Sequence, residues 1–192
     1  MPAKKRISRE DIIEAAFTLV RENSCDALSA RSVASALGCS TQPIFSCFEG
    51  MDALYEAVIA RAWQFWLDRT AADMAAGRWP PYKASGMSYI TFAVEEPSLF
   101  RLLFMRVRKT DLQTNETEHP PNVIRALTEQ TGMSEEAARR FHTEMWVFVH
   151  GLAVLAATGF TAIDEDAASG MLSDVYSGLI MQYQQKGEIK RD

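Results

Sequence analysis

The sequence of 192 residues predicts an all-α protein with two parts. Apolar residues recur three and four positions apart along almost every segment, which is the period of one helix face. Glycine and proline cluster between those segments, as they do where helices end. With 47% hydrophobic and 23% charged residues, the composition is that of a globular protein and excludes disordered and fibrous classes. We expect a three-helix domain at residues 1–50 and a larger helical domain at residues 51–192.

The first helix is predicted over residues 9–23. Ser8 can cap it, and Asp11 stands three positions later, where the partner residue of a capping box belongs. The predicted inward face consists of Ile12, Ile13, Ala16, Phe17 and Val20. We expect this face to pack against the helices that follow it in the chain.

Two short helices follow the first. Ser29 begins one of them, and Gly38 supplies the left-handed residue that ends it. The next is predicted over residues 41–48, with Ser40 as its cap and Pro43 in its first turn. Two short helices joined by a tight turn and braced by a longer helix are typical of a helix-turn-helix DNA reader. On periodicity alone, a generic three-helix corner fits equally well.

Charge is distributed unevenly along the chain. The net charge is −5, but residues 1–50 contain six basic and six acidic residues and are neutral. Lys4, Lys5 and Arg6 form a basic arm, and residues 29–48 contain one arginine and no acid. Such a segment suits a surface that approaches phosphate. The alternative interpretation of the arm is solubility.

Residues 11–54 carry a family resemblance. They read DIIEAAFTLVRENSCDALSARSVASALGCSTQPIFSCFEGMDAL, and the matching stretches are residues 15–20, 29–34, 37–40 and 45–54. In that order they resemble the N-terminal domain of tetracycline-repressor-like (TetR-family) transcriptional regulators. The resemblance implies a repressor that binds operator DNA and is released from it by a small molecule.

Three positions depart from the family pattern. Ser24 stands where the family has glycine, Phe45 where it has tyrosine, and Met51 where it has lysine. The last two changes remove a hydroxyl and an ammonium group that contact DNA phosphates in the family, which predicts weaker binding. The alternative function is therefore a helical small-molecule-binding or scaffold protein that has lost specific DNA binding.

The resemblance and the helix pattern together indicate the DNA-contacting residues. Gln42 can address an adenine edge, the Phe45 ring can pack on a thymine methyl or a sugar, and hydroxyls can reach phosphate or base. The alternative roles are capping for the serines and core cover for Phe45. The predicted set is Lys4, Lys5, Arg6, Ser29, Arg31, Ser40, Thr41, Gln42, Phe45 and Ser46.

The remaining sequence predicts a helical effector and dimer domain. Helices are expected at residues 51–66, 82–94, 97–106, 122–131, from Ser134 to residue 158, and 164–185. The last two are the longest, carry broad apolar stripes, and resemble the family's dimer interface of four helices, two from each subunit. They predict a homodimer, with an intramolecular core as the alternative.

The effector site is predicted among large, soft side chains. They are Met87, Phe92, Phe100, Leu103, Phe104, Trp146 and His150, and the resemblance implies an apolar or aromatic small-molecule ligand here. Without the family resemblance, these residues would be interpreted as ordinary core. His150 is either a core histidine or the polar contact that orients a ligand. Trp146 with His150 and Gly151 also resembles a Trp-His-Gly element of one branch of the family.

No enzyme class matches the sequence. It has no Gly-x-Ser-x-Gly elbow, no phosphate-binding glycine loop and no His-Glu-x-x-His, so we expect neither catalysis nor a metal or cofactor. Consecutive acids such as Glu95 and Glu96 are expected to be solvated helix ends. The longest uncharged apolar stretch, residues 145–160, is too short to span a membrane. A cytoplasmic location is expected.

Overall fold

The computed structural model describes residues 7–106 and 120–189. Within these ranges the secondary structure is helical, with no strand, and the predicted all-α class is confirmed. The helices are α1 (Arg9–Asn23), α2 (Ala30–Ala36), α3 (Gln42–Cys47), α4 (Met51–Ala75), α5 (Pro81–Glu95), α6 (Pro97–Phe104), α7 (Pro121–Thr131), α8 (Glu135–Ala157) and α9 (Glu165–Gln185). A 3₁₀ turn, Cys25–Ala27, follows α1.

The chain divides into two compact units. Unit 1 comprises Met1–Leu67 and Glu96–Arg106, and unit 2 comprises Asp68–Glu95 and Val107–Asp192. Helix α4 contributes residues to both units because it continues to Ala75 rather than ending at the expected residue 66. Residues 51–76 contain no glycine or proline, so no helix breaker ends α4 earlier. The functional boundary at residue 50 remains a prediction.

Unit 1 is built around α1. Its capping box forms as predicted: the Ser8 amide donates to Asp11 Oδ2 at 2.9 Å, and the Asp11 amide donates to Ser8 Oγ at 3.0 Å. The apolar face of α1 is buried together with side chains of α2, α3, α4 and α6. The fully buried residues include Ile12, Ala16, Val20, Val33, Ile44, Leu54, Val58, Leu99 and Phe100.

Unit 2 is built around α5, which is buried on most of its circumference. Helices α8 and α9 pack against it. A Cβ atom at Gly86 would lie 2.9 Å from Leu172 Cδ2, so a larger residue there would have to displace the end of the Leu172 side chain. Lys83 Nζ donates to Ser173 Oγ at 2.8 Å across the same pair of helices.

The helix ends of unit 2 agree with the sequence. Ser134 Oγ accepts from the Ala137 amide at 3.2 Å, and Asp164 Oδ1 accepts from the Ala167 amide at 2.7 Å, so both long helices begin at capped residues. Across residues 7–106 and 120–189, no helix is both long and apolar enough to cross a membrane.

Candidate DNA-binding surface and effector region

Helices α2 and α3 form a compact corner joined by a tight turn. Gly38 has φ +63°, a left-handed conformation that ends α2 and that side chains rarely adopt. The Cys39 amide donates to the Ala34 carbonyl at 2.9 Å and closes the turn. Ile44 is fully buried and Phe48 is 5% exposed, so these two side chains attach α3 to the core of unit 1.

The outward face of α3 consists of Gln42, Phe45 and Ser46. These positions are three and four residues apart, so they are neighbours on one side of the helix, and all three are exposed. Ser46 Oγ donates to the Gln42 carbonyl at 2.9 Å. The face therefore presents an amide, an apolar ring and a hydroxyl oxygen to solvent. A partner with a groove wide enough for a helix could contact all three.

At the start of α3, the capping residue differs from the one that the sequence predicts. Ser40 does not cap the helix: the N-cap is Thr41, whose backbone is already helical at φ −73° and ψ −13° and whose side chain makes no capping hydrogen bond. Ser40 precedes that cap and is exposed, while Thr41 is half-buried. The expected serine cap was wrong because α3 begins at Gln42, one residue later than predicted, and Pro43 in its first turn has no N–H that a capping side chain could accept from.

The remaining predicted DNA contacts lie at α2 or outside the described residues. Ser29 caps α2 through a hydrogen bond from the Ser32 amide at 3.1 Å. Arg31 is exposed one position into the helix. Lys4, Lys5 and Arg6 lie outside the described residues.

An acidic groove lies between α1 and α2 on unit 1. Its volume is about 510 Å³, and its lining includes the carboxylates of Glu10, Asp11, Glu14 and Glu22. None of the predicted effector residues lines it. Its negative charge makes it unsuitable for a phosphate backbone.

The sequence did not predict an ion pair in unit 1 between buried Glu96 and partly exposed Arg21. Arg21 Nε donates to Glu96 Oε2 at 2.8 Å, and a second hydrogen bond joins Arg21 Nη2 to Glu96 Oε1. Glu96 is only 7% exposed, so the expectation of a solvated helix end was wrong there. The hydrogen bond to Glu96 raises the pKa of Arg21. Because the partners are far apart in sequence, no local pattern indicates the pair.

Three of the predicted effector residues belong to unit 1. Phe100 and Leu103 are fully buried. The Phe100 and Phe104 ring centroids are 5.2 Å apart, and Phe104 also makes edge contacts with Trp63 and Trp66 at 5.3 and 5.7 Å. Unit 1 therefore has an aromatic cluster formed by α4 and α6.

The other four predicted effector residues belong to unit 2. The Trp146 ring stacks on His150 at 4.9 Å, and His150 Nδ1 hydrogen-bonds the Tyr89 hydroxyl at 2.9 Å. Met87 and Phe92 are buried on α5. The seven predicted residues thus divide between the two compact units, because the α5–α6 junction coincides with the boundary between them.

A second tyrosine–histidine pair accompanies the first. The Tyr82 hydroxyl hydrogen-bonds His142 Nδ1 at 3.1 Å, again between α5 and α8. Burial raises the pKa of Tyr82 well above its usual range. Burial also raises the pKa of Tyr176, whose ring centroid lies 6.0 Å from that of Tyr82. The sequence analysis did not single out these tyrosines.

The described residues thus form an all-helical protein with a helix-turn-helix corner in unit 1 and a helical unit 2. Residues 82–173 match the family model described as the tetracyclin repressor-like, C-terminal domain. This part of the chain is therefore similar to the C-terminal domain of tetracycline-repressor-like proteins, the family that residues 11–54 resemble. The Trp-His-Gly branch remains a prediction.

Solved structures share the fold of this chain. A candidate transcriptional regulator from Pseudomonas aeruginosa PAO1 is 14% identical, with 96% of each chain covered and a TM-score of 0.62. A TetR-family member from Streptomyces coelicolor A3 is 20% identical, with 89% of this chain and 98% of that chain covered and a TM-score of 0.56.

The multidrug-binding protein EbrR, solved with imidazole, is 18% identical, with 90% of this chain and 93% of that chain covered and a TM-score of 0.53. No curated protein matches the chain. At these identities the likeness establishes the fold.

Proposed function

We propose that this protein is a homodimeric, ligand-responsive transcriptional repressor of the cytoplasm that binds operator DNA through α3. The observation that carries the proposal is the outward face of α3, where Gln42, Phe45 and Ser46 are exposed on a helix held by buried Ile44. A helix of this kind fits the major groove, where base edges can be distinguished. Arg31, Ser29 and the basic arm would add contacts to the backbone.

Support for the homodimer comes from α8 and α9. Both carry exposed apolar side chains: Val147 is 60% exposed on α8, and Met181 is 58% exposed on α9. Gly151 and Gly178 on the same helices have nothing within 4 Å of a Cβ position, so a partner helix could approach closely. A dimer would also satisfy the requirement that two reading helices lie about 34–36 Å apart on successive major grooves.

The proposed effector is an apolar or aromatic small molecule. Support comes from the stacked Trp146 and His150 rings and from buried Met87 and Phe92, all in unit 2. Tyr89 orients the His150 ring by its hydrogen bond, which would leave the histidine in a defined position toward a ligand. The effector would favour a conformation with lower affinity for the operator, and that difference sets the extent of release.

The test of DNA binding is selection from random duplexes at two salt concentrations, followed by sequencing of the retained fraction. We expect enrichment of a site with two related half-sites, as a symmetric dimer requires. Replacing both Thr41 and Gln42 by alanine should relax the sequence preference. Weak, uniform retention that disappears with salt would contradict the proposal and favour a helical protein without specific DNA binding.

A further inference from the structure

We propose that the half-site bound by α3 is rich in A·T pairs and that Phe45 reads the 5-methyl group of thymine. This inference rests on the proposed function, since it specifies what the same helix recognises. Its basis is the chemistry of the α3 face rather than its shape.

Helix α3 contains no charged side chain. Its six residues are Gln42, Pro43, Ile44, Phe45, Ser46 and Cys47. The commonest specific contact to guanine is a bidentate one from arginine or lysine to O6 and N7, and α3 cannot make it. Glutamine makes the corresponding bidentate contact to adenine N6 and N7. The one amide on the exposed face is therefore suited to adenine.

Phe45 is the large apolar side chain that this face exposes. It is 53% exposed, and within residues 7–50 no other large hydrophobic side chain is exposed to that degree. An apolar ring gains most from a partner that is itself apolar. The apolar group on base edges in the major groove is the thymine methyl. The ring position therefore favours thymine over the other three bases.

Ser46 restricts the third contact. Its hydroxyl proton is donated to the Gln42 carbonyl, so its oxygen is available as an acceptor. In the major groove the base donors are adenine N6 and cytosine N4. Ser46 can accept from either of these bases, whereas Gln42 lies three residues before Phe45 on the same side of the helix, so an adenine bound by Gln42 can be paired with or adjacent to the thymine under the ring.

The experiment begins with the best duplex from the random selection. Each thymine of its half-site is replaced singly by uracil, which pairs identically but lacks the methyl group. We expect an affinity loss of about fourfold at one or two positions, the size expected for one buried methyl-sized group. In Phe45→Ala the same replacement should have no effect, and in Phe45→Leu part of the effect should remain.

Leu67→Ala is the matched control, because Leu67 is 54% exposed in unit 1 but lies on α4. It should retain the full uracil effect, and circular dichroism checks that every variant is folded. A half-site rich in G·C pairs, or a wild-type affinity that is unchanged by uracil at every position, would overturn this inference alone. Failure to select any sequence would overturn the proposed function as well.

Discussion

At the scale of single residues, two positions show how tertiary context decides what a local pattern cannot. Ser24 follows α1 with φ +84° and ψ 170°, and it is the only non-glycine residue with positive φ in the described part of the chain. The sequence already marks this position, because the family has glycine there. The structure supplies the reason: almost only glycine adopts that conformation without strain.

Ser24→Gly should stabilise the protein. Relief of the strained conformation outweighs the larger entropy that glycine adds to the unfolded chain, so we expect a gain of about 1 kcal/mol in the free energy of unfolding. Thermal or denaturant unfolding measures it. The control is Ser35→Gly inside α2, which should lower stability by about 0.5 kcal/mol. Equal and destabilising effects at both positions would contradict the explanation.

Arg21 is the second residue whose role depends on tertiary contacts. Arg21→Ala leaves the buried Glu96 carboxylate without its bidentate partner, and it also removes the contact of the guanidinium with the Phe65 ring at 5.1 Å. Because Arg21 itself is partly exposed, we expect a loss of about 1–3 kcal/mol rather than the full effect of a buried pair. Denaturant titration provides the measurement.

Arg139→Ala is the control for this change, since Arg139 forms an exposed ion pair with Glu135 four residues earlier in α8. That loss should stay below about 0.5 kcal/mol. If the two arginine variants lost the same stability, Glu96 would not depend on Arg21 as its geometry indicates.

At the scale of helices, the sequence predicts where most helices begin and end, but it does not predict which side chains pack between them. The predicted bounds of α1 match the structure, and those of α5 to α9 differ by one or two residues, because serine, aspartate, proline and glycine signal helix ends locally. Helix α4 was predicted too short because periodicity fades before a breaker occurs. Contacts between α5, α8 and α9 join residues that are distant in sequence, so periodicity does not indicate which side chains pair.

The tyrosines between these helices predict a pH dependence. Burial raises the pKa of Tyr82, Tyr176 and Tyr183, so the folded state favours their neutral forms. The associated stability is fully present below about pH 10, the pKa of an unfolded tyrosine, and is lost as the pH rises above it. Unfolding free energy should therefore fall steeply above pH 10, and Tyr82→Phe should reduce that slope.

Tyrosinate absorbance tests the same prediction directly. In guanidinium all tyrosines should ionise near pH 10, whereas in the folded protein Tyr82, Tyr176 and Tyr183 should ionise at higher pH. Complete ionisation of folded protein at pH 10 would contradict the assigned burial of these hydroxyls.

At the scale of the whole molecule, the proposed function requires a dimer, because only two subunits can place two copies of α3 on successive major grooves. Val147→Glu places a charge on the exposed apolar face of α8. If that face is buried between two subunits, the unpaired charge should weaken association by at least about 100-fold and yield a folded monomer near 21.5 kDa. Sedimentation velocity measures the mass, and DNA titration measures the accompanying loss of operator affinity.

Val94→Glu is the matched control, because Val94 is also exposed, at 47%, but lies on α5 rather than on the last two helices. It should remain dimeric. A dimeric Val147→Glu protein, or a wild type that is monomeric at micromolar concentration, would refute the proposed interface. The broad apolar stripes were visible in sequence, but whether they face the core or a partner depends on exposure, which only the fold provides.

The two tyrosine–histidine pairs have a consequence for how α5 and α8 can slide along each other. Tyr82 and Tyr89 lie seven residues apart on α5, and their partners His142 and His150 lie eight apart on α8, so both pairs fit one parallel register. A slip of α5 by one turn, about 5.4 Å, would separate both hydroxyls from both rings at once. Sliding of α5 along α8 therefore requires both hydrogen bonds to break together.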